Sequence, residues 1–302
     1  MALISGAKTP ARGLVLSALI TVQVLFGMNY VISKMVIDVF PSLVWASFRI
    51  IVATVVMMMV ALLSGRPSPR GRDFFVPLIG LALLGTIINQ TSFLIGLHYT
   101  TSTNSALLNT LIPVFTLLVV TLRGQEVLTR RKSFGFLLAF GGVLVLRKIE
   151  DFSLSNQTLR GDLLTVLNCL SYGCFLSYGK NFMQKYDRIW ITAWMFLYGS
   201  IGITLMALPQ WSRFHMPELN TTLLWCMAFA VIGGTLLTYF LNIWALAYTK
   251  SSSVAIFIYF QPIVAVTLAF FWLGQGITVR MVIACLFIFS GLGLTLFAPR
   301  QT

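Results

Sequence analysis

Charged side chains are scarce in this chain of 302 residues. Only 10% of its residues are Asp, Glu, Lys or Arg, while 58% are hydrophobic. A soluble domain carries roughly 25% charged residues. So few charges cannot cover a surface that faces water, and the composition therefore excludes an ordinary soluble protein. We expect the chain to lie in a lipid bilayer.

Acids, histidines and cysteines are also rare, which limits the chemistry available. The chain has eight acidic residues, two histidines and four cysteines. The cysteines, at positions 169, 174, 226 and 285, show no paired spacing and lie in apolar stretches, so neither a disulfide nor a metal site is indicated. No nucleophile with a matching base and no pair of carboxylates lies within an apolar stretch. The sequence predicts no enzyme, cofactor or metal.

Long apolar stretches dominate what is present. They run about 17–25 residues, long enough to cross a hydrocarbon core of about 30 Å. Ten are predicted, at roughly 14–33, 41–63, 74–97, 103–122, 134–149, 161–181, 190–209, 222–246, 253–273 and 278–298. The loops between them are too short to hold a soluble domain. The function is therefore expected to lie within the membrane.

Basic residues give the chain a net charge of +13 and predict its orientation. They are spread between the apolar stretches instead of forming one run or face, which is typical of topology signals and argues against a nucleic-acid partner. Most of them fall in loops on one side of a ten-helix chain, the side that also holds both ends. The positive-inside rule therefore predicts cytoplasmic termini.

The chain also repeats itself, because residues 85–146 align with residues 234–295 without a gap. Gly85 aligns with Gly234 in this register, and Pro113 aligns with Pro262. Repeated halves are typical of many transporter folds. Five helices per half is an odd number, so the second half must enter from the opposite side. The predicted fold is an all-α membrane protein with ten transmembrane helices in two inverted five-helix repeats, 1–149 and 150–302.

The repeated segments resemble a known family. They are residues 96–113, 124–126 and 141–142 in the first half, and residues 245–262 and 274–275 in the second, beside 26–34 in helix one. Together with Arg49 in helix two, this pattern is similar to the EamA-type transporters of the drug/metabolite transporter superfamily. Two departures are Gln275, which stands where the second-half motif has an acid, and the lack of a basic residue matching Arg49 in the second half.

The resemblance implies a multi-pass carrier in the bacterial inner membrane, or a plant relative, for amino acids, other metabolites or drugs. It also implies alternating access. Helices one to four and six to nine would surround a central cavity, with helices five and ten at the periphery.

Polar side chains on the apolar stretches predict where that cavity lies. Asn89, Gln90 and Phe93 fall on one face of helix three, and Tyr239 and Asn242 fall on the equivalent face of helix eight. An inverted repeat would bring the two faces together. The alternative is that the amides only bond neighbouring helices. The complete set of candidate substrate-binding residues is Gln23, Tyr30, Lys34, Arg49, Asn89, Gln90, Phe93, Asn109, Tyr172, Tyr239, Asn242, Tyr259 and Gln261.

Three further features leave two interpretations each. Pro113 and Pro262 each free a carbonyl four residues earlier and are either hinges or fixed bends. Lys34, which aligns with Lys180 of helix six in one register, is either a site residue or a side chain that extends its ammonium group to the membrane–water interface. Small residues at 135, 139, 291 and 293 permit close helix contact within a monomer or a homodimer.

Arg49 is the most informative single residue. It lies eight residues after Pro41, about 12 Å into the hydrocarbon core, where a charge is costly. No acid lies within one helical turn of it. Its guanidinium group either donates hydrogen bonds to amides and helix-end carbonyls, or donates two parallel hydrogen bonds to a substrate carboxylate or phosphate.

The function predicted from these features is secondary transport of small metabolites, such as amino acids or related carboxylates, across the cell inner membrane. The lack of an embedded carboxylate or histidine favours a facilitator or exchanger over proton coupling. A cationic-drug exporter remains an alternative, because aromatic residues such as Tyr30 and Tyr172 could stack on a planar cation. A non-transporting receptor or scaffold is the other.

Overall fold

The computed structural model describes residues 10–100, 102–126, 129–146, 156–273 and 279–296. Within these ranges every regular element is a helix and no strand occurs. Both termini, and Gln275 of the second-half motif, lie outside the described residues. The predicted cytoplasmic position of the termini therefore stays a prediction.

The helices follow the predicted apolar stretches, with ends that shift by several residues. Their bounds are α1 Arg12–Ile37; α2 Ser42–Leu63; α3 Arg72–Tyr99; α4 Ser102–Leu108 and Leu111–Leu122; α5 Arg130–Leu146; α6 Asn156–Lys185; α7 Arg188–Trp211; α8 Thr221–Tyr248; α9 Ser251–Ile256, Phe257–Phe260 and Gln261–Leu273; and α10 Val279–Leu296. The fifth helix begins at Arg130, earlier than the expected start at 134.

Six of the described helices are long and apolar enough to cross a membrane. They are Arg12–Ile37, Ser42–Leu63, Arg72–Tyr99, Arg188–Trp211, Thr221–Tyr248 and the Ser251–Leu268 part of α9. Shorter apolar helices accompany them, including Leu111–Leu122. The chain is thus a multi-pass membrane protein, while ten crossings remain a prediction.

The backbone departs from regular helix at matching places in the two halves. Leu83–Ile88 in α3 and Ile232–Leu237 in α8 both form a π-helical turn, at the same 149-residue offset as the sequence repeat. Both helices then end at an extended threonine, Thr100 in one half and Thr249 in the other. The two halves therefore share local backbone geometry, although their inverted relation stays a prediction.

Small residues allow the closest helix contacts. A methyl group at Gly96 of α3 would lie 3.0 Å from the Gly161 carbonyl of α6, and one at Gly161 would lie 3.0 Å from the Gly96 carbonyl. Gly291 of α10 likewise packs on the backbone of Gly135 and Ala139 in α5. Gly135, Ala139 and Gly291 thus make a contact within one chain, and they do not by themselves indicate a dimer.

Candidate functional site

A cavity lies between the helices and contains about 600 Å³ of space that protein atoms do not fill. Residues of α1, α2, α3, α4, α6, α8 and α9 line it, and no described residue of α5, α7 or α10 does. The lining residues are Gln23, Phe26, Asn29, Tyr30, Arg49, Asn89, Gln90, Phe93, Asn109, Ile112, Asn168, Tyr172, Gly234, Tyr239, Asn242, Ile258 and Gln261.

Arg49 is the only one of these lining residues whose side chain is charged at neutral pH. Its side chain is 2% exposed, and its Nη2 donates a hydrogen bond to Oε1 of Gln90 on α3. Its Nε and Nη1 have no hydrogen-bond partner, and neither does the amide nitrogen of Gln90. A buried donor without a partner is destabilising, typically by about 1–3 kcal/mol. The Arg49–Gln90 pair therefore has unmet capacity to donate hydrogen bonds.

A row of amides crosses the cavity from one half of the chain to the other. The amide of Asn89 donates to Asn168 on α6, whose own amide donates to Asn109 on α4 at 2.7 Å. The hydroxyl of Tyr239 on α8 lies 3.1 Å from the Asn89 oxygen. The faces of α3 and α8 that the repeat pairs thus meet at this contact, although Tyr239 is the repeat partner of Gln90 and not of Asn89.

A second group of polar side chains joins α1 to α9. The Tyr30 hydroxyl donates to Oε1 of Gln261 at 2.8 Å, and the Gln261 amide donates to Oε1 of Gln23 at 2.6 Å. On the opposite wall, the Asn242 amide donates to the Tyr172 hydroxyl at 2.7 Å. These bonds satisfy amides that would be costly to bury alone.

The π-helical turn of α3 provides backbone acceptors for two side chains, Tyr239 of α8 and Ser171 of α6. A π-turn displaces carbonyls from the regular helical pattern, so they can accept bonds from side chains. The Tyr239 hydroxyl lies 3.0 Å from the Gly85 carbonyl, and the Ser171 hydroxyl donates to the Leu84 carbonyl at 2.6 Å. Gly85 also lets the Phe175 ring approach, since a methyl group there would lie 2.5 Å from the ring.

Comparison with known proteins identifies the family. The EamA-like transporter family matches residues 13–148 and again residues 159–297, which together make up most of the chain. The chain belongs to the EamA-like transporter family. The resemblance to the drug/metabolite transporter superfamily noted in the sequence is therefore confirmed.

Individual relatives of this EamA-like transporter extend over most of its length. An uncharacterized transporter of Archaeoglobus fulgidus is 27% identical over 259 residues, covering 85% of this chain and 88% of that protein. The uncharacterized transporter YoaV of Bacillus subtilis is 19% identical and covers 94% of this chain and 97% of its own. The WAT1-related protein At3g18200 of Arabidopsis thaliana is 24% identical, covering 94% of this chain and 82% of that protein.

A solved crystal structure also shares the fold. It superposes with a TM-score of 0.76 at 14% sequence identity, covering 94% of this chain and 96% of that chain. At this identity the similarity establishes the fold alone. As a member of a transporter family, the chain is expected to act on a small molecule within a bilayer.

Two residues of the candidate set, Lys34 and Tyr259, do not line the cavity of this EamA-like transporter. Lys34 donates to the Leu97 carbonyl at the end of α3 at 3.4 Å and pairs with Asp38 at 3.1 Å. Lys180 makes the equivalent contact in the second half, where it donates to the Thr249 carbonyl at 2.6 Å. Both lysines thus stabilise a helix C-terminus, as cations do there.

Tyr259 is the other candidate outside the cavity. It is fully buried, and its ring packs edge-on to Phe136 of α5 at a centroid distance of 6.5 Å. Ile258, one residue earlier, lines the cavity instead. The 3₁₀ turn Phe257–Phe260 explains the difference, because three residues per turn shift the face that a regular helix would present.

The two prolines follow interruptions at matching positions. α4 breaks at Asn109 before Pro113, and α9 forms its 3₁₀ turn before Pro262. The freed carbonyls are used, since Asn109 accepts from the Ile112 N–H at 3.0 Å and Ile258 accepts from the Gln261 N–H. Whether these interruptions act as hinges remains a prediction.

Six lining residues are absent from the set of candidates predicted from the sequence, namely Phe26, Asn29, Ile112, Asn168, Gly234 and Ile258. Phe26 could have been found, because it lies between Gln23 and Tyr30 at helical spacing. Gly234 is the repeat partner of Gly85, which also contacts the site through its carbonyl. Ile112 and Ile258 are apolar residues on apolar helices and carry no signal of their own.

Proposed function

We propose that this EamA-like transporter is a secondary carrier for small metabolites that bear a carboxylate, including amino acids and related compounds. Arg49 carries the proposal. Its guanidinium is buried beside the cavity, its only bond in the described residues is to a neutral amide, and two of its nitrogens lack a partner. A carboxylate matches the guanidinium fork in shape and charge.

The mechanism we propose is alternating access around this cavity in the cell inner membrane. The chain would cross the membrane ten times, as two inverted repeats with both termini in the cytoplasm. The matching π-turns and the matching interruptions before Pro113 and Pro262 support this arrangement. The interruptions would serve as hinges, because backbone with fewer regular helical bonds bends more easily.

A carrier for cationic drugs is less well supported. No acid lines the described cavity, so Arg49 would repel a cation without compensation. The aromatic rings named for cation stacking contact other rings instead. Tyr30 packs edge-on to Phe93 at 5.4 Å, and Tyr172 packs on Phe175 at 5.5 Å.

The proposal is tested by ligand binding to the purified protein. Amino acids, other carboxylates, nucleosides and cationic drugs are screened by thermal shift, since a ligand of the folded state raises apparent stability. Hits are then measured for uptake into proteoliposomes. We expect carboxylates to stabilise the wild type, and Arg49→Gln to weaken their binding roughly tenfold or more, about 1.4 kcal/mol.

Arg70→Gln is the matched control, because Arg70 is exposed in the loop before α3. It should leave binding unchanged. Unchanged carboxylate affinity in a folded Arg49→Gln protein would contradict the proposal, and stabilisation by cationic drugs alone would favour the exporter.

A further inference from the structure

The acceptor oxygens of the cavity are almost all engaged. Eight Asn or Gln side chains line it, and every one of their oxygens except that of Asn242 lies within hydrogen-bonding distance of a donor of the protein. The oxygens and their donors are Gln23 with Gln261, Asn29 with Ser33, Asn89 with Tyr239, Gln90 with Arg49, Asn109 with Asn168, Asn168 with Asn89, and Gln261 with Tyr30.

The backbone carbonyls of the π-turn of α3 also have donors nearby, although the single Tyr239 proton can serve either Gly85 or Asn89 and not both. Ser171 donates to the Leu84 carbonyl at 2.6 Å, and the Tyr239 hydroxyl lies 3.0 Å from the Gly85 carbonyl. Thr235 donates to the Ala230 carbonyl in the equivalent turn of α8 at 2.8 Å. The irregular backbone around the site therefore adds few acceptors for a ligand.

The fully buried polar atoms of the lining residues that lack a partner are all donors. They are Nε and Nη1 of Arg49 and the amide nitrogen of Gln90. All three belong to two side chains that already touch each other. A ligand that meets them must accept hydrogen bonds at two or three adjacent points, as a carboxylate with two oxygens does.

The cavity also lacks a negative charge. The described acids lie at helix ends or in loops, and none lines the cavity: Asp38, Asp73, Glu126, Asp162, Asp187 and Glu218. An ammonium group has three N–H donors and no acceptor. Placed here it would meet only neutral amide and hydroxyl oxygens, with no carboxylate to compensate its charge, and it would lie near the charge of Arg49.

The rest of the lining suits an apolar body. Phe26, Phe93, Ile112 and Ile258 supply carbon surface between the amides.

We infer that the substrate is an organic anion that carries no ammonium group, so that this carrier discriminates against zwitterionic amino acids. This inference rests on the proposed function and narrows it, because the same Arg49 site would bind the carboxylate. The unmet donors recognise the carboxylate, and the charge of Arg49 without an acid beside it disfavours an ammonium group. The discrimination therefore depends on the absence of an acid from the described lining as much as on the free donors of Arg49 and Gln90.

The test compares compounds that share one side chain and differ only in their charged groups. One set is 3-phenylpropionate, phenylalanine and 2-phenylethylamine. A second is 4-methylpentanoate, leucine and isopentylamine, and a third is 3-(indol-3-yl)propionate, tryptophan and tryptamine. Binding to the full-length protein in detergent is measured by isothermal titration, and competition for uptake is measured in proteoliposomes.

In the set that fits best, we expect the acid without an amine to bind roughly tenfold or more tightly than the amino acid. The amine should not bind. Equal affinity for the acid and its amino acid, with both lost in Arg49→Gln, would overturn this inference and leave the proposed function standing. Binding of the amine alone, or of no compound in any set, would overturn both.

A variant that adds an acid gives a second readout. Gln90→Glu places a carboxylate beside Arg49 and leaves the volume almost unchanged. It should abolish binding of the acid without an amine and reduce the penalty for the amino acid. Gln210→Glu is the control, since Gln210 lies on α7 away from the cavity and accepts from the Leu43 N–H through an oxygen that glutamate retains. It should bind like the wild type, and a matching effect of both variants would contradict the inference.

Discussion

Arg49 and Glu126 are two ionisable residues with no counterpart in the second half of the sequence, and the fold uses them differently. Arg49 faces the cavity and bonds a neutral amide, so its charge remains available to a ligand. Glu126 lies in the loop after α4, and its side chain is only 6% exposed. It forms an ion pair with Lys132 at 3.0 Å, so its charge is compensated within the protein.

Glu126 also joins the two halves of the chain. Its Oε1 accepts from the backbone N–H of Ser252 at 3.1 Å, and its Oε2 accepts from the Ser252 hydroxyl. Ser252 lies in the first turn of α9, whose backbone N–H groups have no partner within the helix. A carboxylate is favourable at such a helix start. The loop of the first half thus caps a helix of the second.

The protonation of Glu126 follows from these contacts. Burial alone would raise the pKa of its carboxyl, but the hydrogen bonds from Ser252 and the charge of Lys132 together lower that pKa below the ordinary value for glutamate. The folded state therefore favours the ionised form. Its contribution to stability is full above the ordinary pKa and is lost as the pH falls through the lowered pKa.

We predict that Glu126→Gln lowers the free energy of unfolding at neutral pH by about 1–3 kcal/mol, because Lys132 and the α9 start lose their anion. The difference from the wild type should shrink as the pH falls into the acid range. Thermal unfolding in detergent at several pH values measures this. Glu218→Gln, which changes an exposed residue, should match the wild type throughout. A Glu126→Gln deficit that is the same at every pH would contradict the electrostatic explanation.

At the scale of the element, sequence predicts the helices well and their irregularities poorly. Apolar length locates each helix, and the 149-residue offset pairs α3 with α8. The π-turns at Leu83–Ile88 and Ile232–Leu237 contain glycine and threonine, which favour helix weakly, but no residue type in them specifies a π-turn over a regular helix. A face drawn at 3.6 residues per turn loses its register beyond such a turn. Asn89 and Asn242 lie within two turns of the π-turns and still line the cavity, whereas Tyr259 lies inside the 3₁₀ turn of α9 and packs away from it.

Lys34 shows a second reason for error at this scale. It shares the helical stripe of Gln23 and Tyr30, so periodicity alone assigns it to the cavity. One further turn, however, brings it to the end of α1, where the Leu97 carbonyl is within reach. Periodicity gives the direction of a side chain but not its depth in the membrane.

The contact between α5 and α10 allows a test at the same scale. In α10, a methyl group at Gly291 would meet the Gly135 carbonyl and lie 2.7 Å from the Ala139 nitrogen, both backbone atoms that cannot yield. A methyl group at Gly293 would meet nothing within 4 Å. We predict that Gly291→Ala lowers the free energy of unfolding by about 1–3 kcal/mol through overpacking.

Gly293→Ala is the control for this contact. It should be neutral or stabilising by up to about 1 kcal/mol, because alanine favours helix. Apparent melting temperatures in detergent compare the two variants. Neither should change ligand affinity, since no described residue of α5 or α10 lines the cavity. Equal stability of the two variants would contradict the close contact within one chain.

At the scale of the whole molecule, the internal repeat is the sequence feature that predicted the most about the structure. It predicted that polar faces of α3 and α8 would meet, and the Tyr239–Asn89 contact shows that they do. It could not reveal which amides would satisfy one another. That pairing depends on the helix crossings, and the crossings depend on close contacts such as Gly96 with Gly161.

The charge balance of the cavity also bears on the direction of transport. If the substrate carries one negative charge and no proton moves with it, as the lack of a carboxylate or histidine among the described lining residues favours, each cycle moves one net negative charge. A membrane potential that is negative inside then drives the anion outward, by about 2.3 kcal/mol per 100 mV. That is roughly a fiftyfold outward gradient at equilibrium. A facilitator of this kind would act as an exporter without proton coupling.

We predict that substrate flux in proteoliposomes follows an imposed potential and not an imposed pH gradient. Valinomycin with a potassium gradient sets the potential, a trapped fluorescent dye reports the lumen pH, and labelled carboxylate reports flux. An interior that is positive should accelerate uptake, and one that is negative should oppose it. Protein-free liposomes and Arg49→Gln proteoliposomes correct for passive diffusion of the neutral acid. Acidification of the lumen in proportion to substrate uptake, beyond those controls, would mean that a proton accompanies the anion and that a group outside the described cavity carries it.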